Sequence, residues 1–393
     1  MALNLIADRV VCGKLYPAMA KHQAEPYTMS WREFGRYWPY TEPLRLQEYL
    51  NYHSIDYHCW TINQDFPSNS WYVVSLGFFN FDIDYFAMLP DAVLHRIHMG
   101  TCSVLFYYHE GDNPFRIKLR LDQLCTDHGV SINCYKFISG NTAAEQLPNF
   151  IWFPDFEFWY YQRNIGHAPT PVTVESRPFD FTCLNRLHKW WRATVVADLQ
   201  QHRMLENSVW SYCEAAYGAD DDCPIEIDSI PGLRKARQQF LQHAPYFCDD
   251  LDNDQRNNHS LITADHFTQS YCNIVIESQF DVDQSHAAFL SEKTFKPIKH
   301  AQLFFVAGGQ HSLSALRKLG YSTFDDILDT SYDEIENSTQ RWIALRNSIM
   351  QAQPNLYNLY KQAINDIKHN QQLFVSNKQH RLNTLIEKIN EPC

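Results

Sequence analysis

Residues 291–320 constrain the fold of this chain more tightly than any other stretch. Ser291-Glu292-Lys293-Thr294-Phe295-Lys296-Pro297-Ile298 sets two lysines and a glutamate into an otherwise apolar run. Leu303-Phe304-Phe305-Val306 follows with the unbroken apolar character of a strand buried on both faces, and Gly308-Gly309 leads from it to a helix start at Ser312-Leu313-Ser314. Ser312 is a candidate N-cap, and Gly320 stands where a left-handed residue closes a helix. A helix starting near Ser291 places Glu292 and Lys296 four residues apart on one face. Such a group is either a surface ion pair under a capping serine or a grip on an anion: a carboxylate suits ribose hydroxyls, and ammonium groups at a helix start suit a diphosphate.

The same alternation of strand and helix runs through the rest of the chain. Trp71 to Leu76, Cys102 to Tyr108 and Ser131 to Ile138 read as strands, Ile117 to Leu124 as a helix, and Thr142 to Glu145 as the opening of another. Gly166, Pro169, Pro171 and Pro178 then interrupt any period, so residues 166–178 are expected to link two domains, 1–165 and 179–340. Phe179 to Leu184 begins a second series, Trp190 to Met204 is a helix, residues 214–259 form an acidic excursion, and Cys272 to Glu277 resumes the sheet. From 341 to 393 the spacing of Trp342, Leu345, Ile349, Leu356, Leu359, Leu382, Leu385 and Ile389 is helical, broken at Pro354. Alternating elements of this kind make parallel α/β sheets.

A chain of 393 residues suits two such domains, and 45% hydrophobic content argues against disorder. The net charge of −12 disfavours a broad electrostatic grip on nucleic acid, although the tail from Arg341 is basic. Eleven cysteines, odd in number and never spaced C-x-x-C, oppose a zinc ribbon and a disulfide framework. They fit reduced thiols in a cytoplasm. Met1 to Ala20 lacks a continuous apolar stretch, and no run approaches the ~20 apolar residues of a membrane span.

Neither G-x-G-x-x-G nor G-x-x-x-x-G-K-[ST] occurs, which disfavours a dinucleotide dehydrogenase and a phosphate-loop NTPase. Backbone N–H groups from Gly309 to Ser312 could still cradle a phosphate or a sugar hydroxyl. Asp82-x-Asp84, Asp250-x-Asp252 and Asp281-x-Asp283 fit the metal-binding D-x-D pattern, but an acidic chain produces such pairs by chance. His109, Glu110 and Asp112 follow the strongest N-terminal strand, and ligands of open parallel sheets bind beyond the carboxyl ends of strands. The alternative is a polar turn capping the next helix.

The 289–333 segment, with its Ser-Glu-Lys element and Asp329-Thr330-Ser331-Tyr332-Asp333, resembles a glycosyltransferase-like group common in the genomes of tailed phages and giant viruses. More distantly, Ser291-Glu292-Lys293 is similar to the donor-binding signature of the alpha-1,3-fucosyltransferases, and a weaker similarity covers Phe179 to Leu199. That resemblance implies a GT-B fold: two Rossmann-like α/β domains facing each other across a cleft, with C-terminal helices packing back on the first. It also implies an inverting transfer of sugar from a nucleotide-sugar donor to an acceptor bearing a free hydroxyl, with no metal or other cofactor. Glu292 would bind the ribose and Lys293 a phosphate, with Lys296 a second phosphate ligand. Asn185 ends a strand, and either Arg192 or Arg186 supplies the arginine that the family places after such an asparagine. Gly308, Gly309 and Ser312 complete the donor side. Inversion needs one base to take the acceptor's proton, for which Glu110 comes first and Asp112 second, with His109 orienting either. A glycan, a lipid-linked sugar or a modified DNA base all remain open as acceptors, and an inactive nucleotide-sugar-binding module is the alternative outside catalysis.

Overall fold

In a computed structural model, the structure describes residues 3–6, 45–62, 64–77, 79–164, 168–213, 223–249, 264–281 and 287–392. The chain divides into two compact units, Met1–Asp155 together with Asn377–Cys393, and Phe156–Ser376.

The first unit is built on a parallel sheet of six strands, β1 (Leu3–Ile6), β2 (Tyr57–Trp60), β3 (Ser70–Leu76), β4 (Cys102–Tyr108), β5 (Tyr135–Ser139) and β6 (Phe150–Trp152), in the order β2-β1-β3-β4-β5-β6. Every residue of β3 is buried, as an apolar strand in the middle of a parallel sheet must be. β3 pairs with β4 from Ser70 opposite Cys102 to Leu76 opposite Tyr108. Helices α1 (Arg45–Tyr52), α2 (Asp91–His98) and α3 (Pro114–Asp127) belong to this unit. α3 starts where Asn113 accepts the Phe115 N–H, with Pro114 at its first position.

Helix α4 (Asp155–Arg163) opens the second unit from its second residue on, and its aromatic residues Phe158, Trp159 and Tyr160 are buried. The sheet of this unit is also parallel, with β7 (Phe179–Asn185), β8 (Ser208–Tyr212), β9 (Ser270–Ile276) and β10 (Leu303–Ala307) in the order β10-β9-β7-β8. Helix α5 (Trp190–Gln201) packs on α6 (Leu233–His243), α7 (Ala264–Thr268) leads into β9, and α8 (Glu292–Lys299) lies against β9 and β10. α9 (Ser312–Lys318) follows β10, and α10 (Ser338–Ala352), α11 (Leu356–Gln362) and α12 (Ile364–Ser376) complete the unit. Pro354 lies in the short 3₁₀ turn between α10 and α11, where it breaks the helical run.

The last helix, α13 (Lys378–Asn390), belongs to the first unit, where the Lys136 ammonium donates to the carbonyls of Lys388 and, at 2.6 Å, of Glu391. The α/β expectation with parallel sheets therefore holds. The division, however, falls after Asp155 rather than at 166–178, and α10 to α12 belong to the second unit. The described part of the proline-rich stretch, 168–178, is locked into that unit by buried Arg177, which donates to the carbonyls of Ser270 and Ala301 and to the Tyr360 hydroxyl. Among the described residues, no helix is long and apolar enough to cross a membrane.

Candidate functional site

In both sheets the strand order reverses once, between β1 and β3 and between β7 and β9. Diverging connections at such a point leave a crevice beyond the carboxyl ends of the strands, the general ligand position in open α/β sheets. In the second unit the residues at that position are Asn185 and Arg186 after β7, Glu277 and Ser278 after β9, and Gly308 after β10.

Glu277 organises the region. Its side chain is fully buried, and each carboxylate oxygen accepts two bonds. Oε1 takes the Ser291 N–H at 3.0 Å and the Thr294 hydroxyl at 2.5 Å, and Oε2 takes the Ser278 N–H at 3.0 Å and the Ser291 hydroxyl. Charge-assisted bonds of this kind are the strong ones, and here they fix the start of α8 against the end of β9. Ser291 caps α8 as its sequence suggests, accepting the Lys293 N–H. The Glu277 carbonyl in turn accepts from Trp191 Nε1 at 3.4 Å and from Arg192 Nη2 at 3.3 Å, while Arg192 Nη1 donates to the Leu187 carbonyl at 3.1 Å. One acidic residue thus ties three elements together. In the sequence it is only the end of a strand, because a single glutamate there has no distinguishing pattern.

Around this frame stand the charged groups singled out above. Lys293 Nζ lies 2.9 Å from the Ser278 hydroxyl and 3.2 Å from Glu292 Oε1, and Lys296 Nζ lies 4.0 Å from the same oxygen. The i,i+4 spacing of Glu292 and Lys296 is realised on α8, with Glu292 largely buried. Burial pushes the Lys296 ammonium below its ordinary value; Glu292 opposes the shift, whereas Lys293 and Arg186 add to it. The Arg192 guanidinium is likewise lowered by burial, against the pull of Glu277 and Glu292. Its Nε is buried with no partner among the described residues. Arg192, Lys293 and Lys296, with Arg186 within electrostatic reach of Arg192 and Lys296, therefore share one poorly solvated cluster with two carboxylates, Glu277 and Glu292. The excess of two positive charges is what a bound dianion would neutralise.

The turn after β10 behaves differently from its sequence reading. Asp333 occupies the start of α9, accepting the N–H groups of Leu313 and Ser314 at 2.9 and 2.8 Å. The N-cap is His311 in a left-handed conformation, not Ser312, whose hydroxyl donates to the Gly309 carbonyl at 2.7 Å. An acid twenty residues on satisfies the helix dipole that a phosphate was expected to meet. Gly309 is required by packing, since a Cβ there would come 2.5 Å from the Ala287 carbonyl oxygen; at Gly308 it would come 3.0 Å from the Ser312 hydroxyl and 3.4 Å from Glu277. Asn185 is buried at the end of β7, its carbonyl accepting the Cys213 N–H.

In the first unit the His109–Asp112 turn leaves the carboxyl end of β4, as expected. The Glu110 carbonyl accepts the Gly140 N–H at 3.1 Å, and the Gly111 carbonyl accepts from Asn141 Nδ2 at 2.9 Å, so the turns after β4 and β5 brace each other. His109 is buried with Nε2 3.3 Å from Glu110 Oε1. The Glu110 carboxylate is 37% exposed, whereas Asp112 accepts a hydrogen bond from the buried Tyr108 hydroxyl. This favours Glu110 over Asp112 as the acid that can reach an incoming group. Of the D-x-D pairs, Asp84 is engaged by His128 and the Ala87 N–H, and Asp281 accepts from Ser338. Asp250, Asp252 and Asp283 lie outside the described residues.

No family model matches this chain, and no curated protein matches it. Among solved structures it is similar to the DNA-modifying enzyme beta-glucosyltransferase, studied in the presence and absence of the substrate uridine diphosphoglucose, at 11% identity over 100% of both chains and a TM-score of 0.42. It is also similar to a GtfA/B complex, at 9% identity over 81% of this chain and 57% of that one, with a TM-score of 0.33.

Proposed function

We propose that this chain is an inverting glycosyltransferase that moves a sugar from a nucleotide-sugar donor to a hydroxyl acceptor, in a reducing cytoplasm and without a catalytic metal. The observation that carries this reading is the cluster of four cations and two carboxylates at the strand-order reversal of the second sheet. Glu292 pairs with the ribose hydroxyls there. Lys293, Lys296, Arg186 and Arg192 hold the diphosphate and stabilise its charge as it leaves, the role that a divalent ion fills in D-x-D enzymes. Glu110, oriented by His109, takes the proton of the acceptor hydroxyl.

The donor assignment is tested by thermal-shift measurements with UDP-, GDP-, ADP- and CMP-sugars, followed by release of free nucleoside diphosphate. One nucleotide class raises the midpoint, as a ligand that binds only the folded state must. Glu292→Ala and Lys293→Ala each weaken that nucleotide by about 1–3 kcal/mol, the worth of a lost charge-assisted bond, and both variants stay folded. Unchanged affinity in both would remove the nucleotide from this site. Nucleotide binding without sugar release would leave a binding module in place of an enzyme.

Metal independence has its own measurement. Initial rates read directly on adding excess chelator, well below the thermal midpoint so that loss of a structural ion does not unfold the chain, stay within about twofold of the untreated rate, because the cations of the cluster supply the charge that a metal would otherwise provide. Abolished turnover restored by manganese would overturn that part of the reading.

A further inference from the structure

A second cluster in the Phe156–Ser376 unit has no part in the donor site. Cys248 Sγ lies 3.8 Å from Asp249 Oδ2 and 3.8 Å from His266 Nε2, and those two atoms are 3.0 Å apart. The three residues come from a turn after α6 and from α7, and all are partly buried. The antiparallel bridge between Tyr212 and Tyr246 brings the segment carrying Cys213 to the segment carrying Cys248, and Cys213 lies within electrostatic reach of Cys248.

The triangle has the dimensions of a coordination face. With zinc bonds of about 2.3 Å to sulfur and about 2.0–2.2 Å to nitrogen and oxygen, neighbouring ligand atoms of a tetrahedron stand about 3.3–3.6 Å apart. The observed edges bracket that range. The chemistry of the set agrees with its geometry: thiolate and imidazole select borderline-soft divalent ions, and a carboxylate completes a ligand set common for zinc. Two of the ligand positions are held from outside the cluster. The carbonyl of His266 accepts the Thr182 hydroxyl of β7 at 2.7 Å, and the Cys213 N–H donates to the carbonyl of Asn185 at 2.9 Å.

We propose that Cys248, Asp249 and His266 bind a structural zinc-class divalent cation, with Cys213, whose sulfur does not lie within 4.8 Å of all three in this structure, swinging in as fourth ligand. The ion joins the end of β8, the turn after α6 and the helix that leads into β9. Each ligating thiol gives up its proton to solvent as its sulfur bonds the metal, so binding tightens as pH rises. The ligands come from three separate stretches, at Cys213, Cys248-Asp249 and His266, and the two cysteines stand 35 residues apart, which is why the absence of C-x-x-C spacing concealed them.

The test uses the full-length chain, stripped of metal under reducing conditions and titrated with zinc and then with cobalt. The expected result is one equivalent of either ion per chain, a rise in the thermal midpoint with zinc, and a cobalt spectrum with thiolate charge-transfer and tetrahedral visible bands. Cys248→Ser and His266→Ala lose stoichiometric uptake, and Cys213→Ser weakens the charge-transfer band. Should His266→Ala fail to fold, the conservative Cys248→Ser and Asp249→Asn still decide the matter. No stoichiometric uptake, a cobalt spectrum lacking the thiolate band, or uptake unchanged in Cys248→Ser would overturn the site. An undiminished band in Cys213→Ser would overturn the fourth ligand. None of these readings depends on sugar transfer.

Discussion

Exchanging Glu110 for glutamine is expected to lower turnover by roughly two to four orders of magnitude while nucleotide affinity and thermal midpoint stay unchanged. Glutamine keeps the shape of the side chain and one acceptor oxygen, so the turn braced by Gly140 and Asn141 is not disturbed. What it removes is the charge that takes a proton, and a base contributes in the transition state rather than in donor binding. The loss therefore belongs in turnover. Asp112→Asn is the paired measurement: its carboxylate is engaged by the Tyr108 hydroxyl, so its loss costs stability more than rate. A collapse of rate in Asp112→Asn with a normal Glu110→Gln would move the base two residues along. Normal rates in both would take the turn out of the mechanism.

Glu277→Ala is expected to be the most damaging single change in the second unit. Truncation leaves the N–H groups of Ser278 and Ser291 and the hydroxyls of Ser291 and Thr294 without their buried acceptor. At about 1–3 kcal/mol for each stranded buried donor, and allowing the hydroxyls to reorient, the loss is roughly 3–5 kcal/mol. For a unit of this size that corresponds to a fall in midpoint on the order of 10 °C. Donor affinity falls with it, because Glu292 and Lys293 ride on the helix start that Glu277 holds. Calorimetry and nucleotide titration read the two effects separately. A midpoint within a degree of the parent chain would show that the carboxylate is not the anchor described here.

The fold was legible where burial writes itself into composition. Cys102–Tyr108 and Leu303–Ala307 are apolar runs because parallel strands are covered on both faces, and these strands and Phe179–Asn185, which mixes apolar with polar residues, match their sequence limits within a residue or two. Short β1 and β2 passed unnoticed, since four residues carry too little periodicity to separate from a loop. At the site, Ser291 as cap and the Glu292–Lys296 face followed from local spacing alone. The capping of α9 did not, because its acceptor, Asp333, lies twenty residues downstream and its N-cap, His311, adopts a left-handed conformation uncommon outside glycine. Domain limits were misplaced for a related reason. Prolines at 169–178 signal irregular backbone, and irregular backbone that is pinned by a buried arginine is no hinge.

Because α13 belongs to the first unit, that unit is assembled from two stretches of sequence separated by the whole of the second. During synthesis the ribosome emits residues 156–376 before the segment whose carbonyls receive the Lys136 ammonium, so the domain begun first is finished last. Until then the carbonyls of Lys388 and Glu391 are not there to receive that ammonium, and the order of completion runs opposite to the order of the gene.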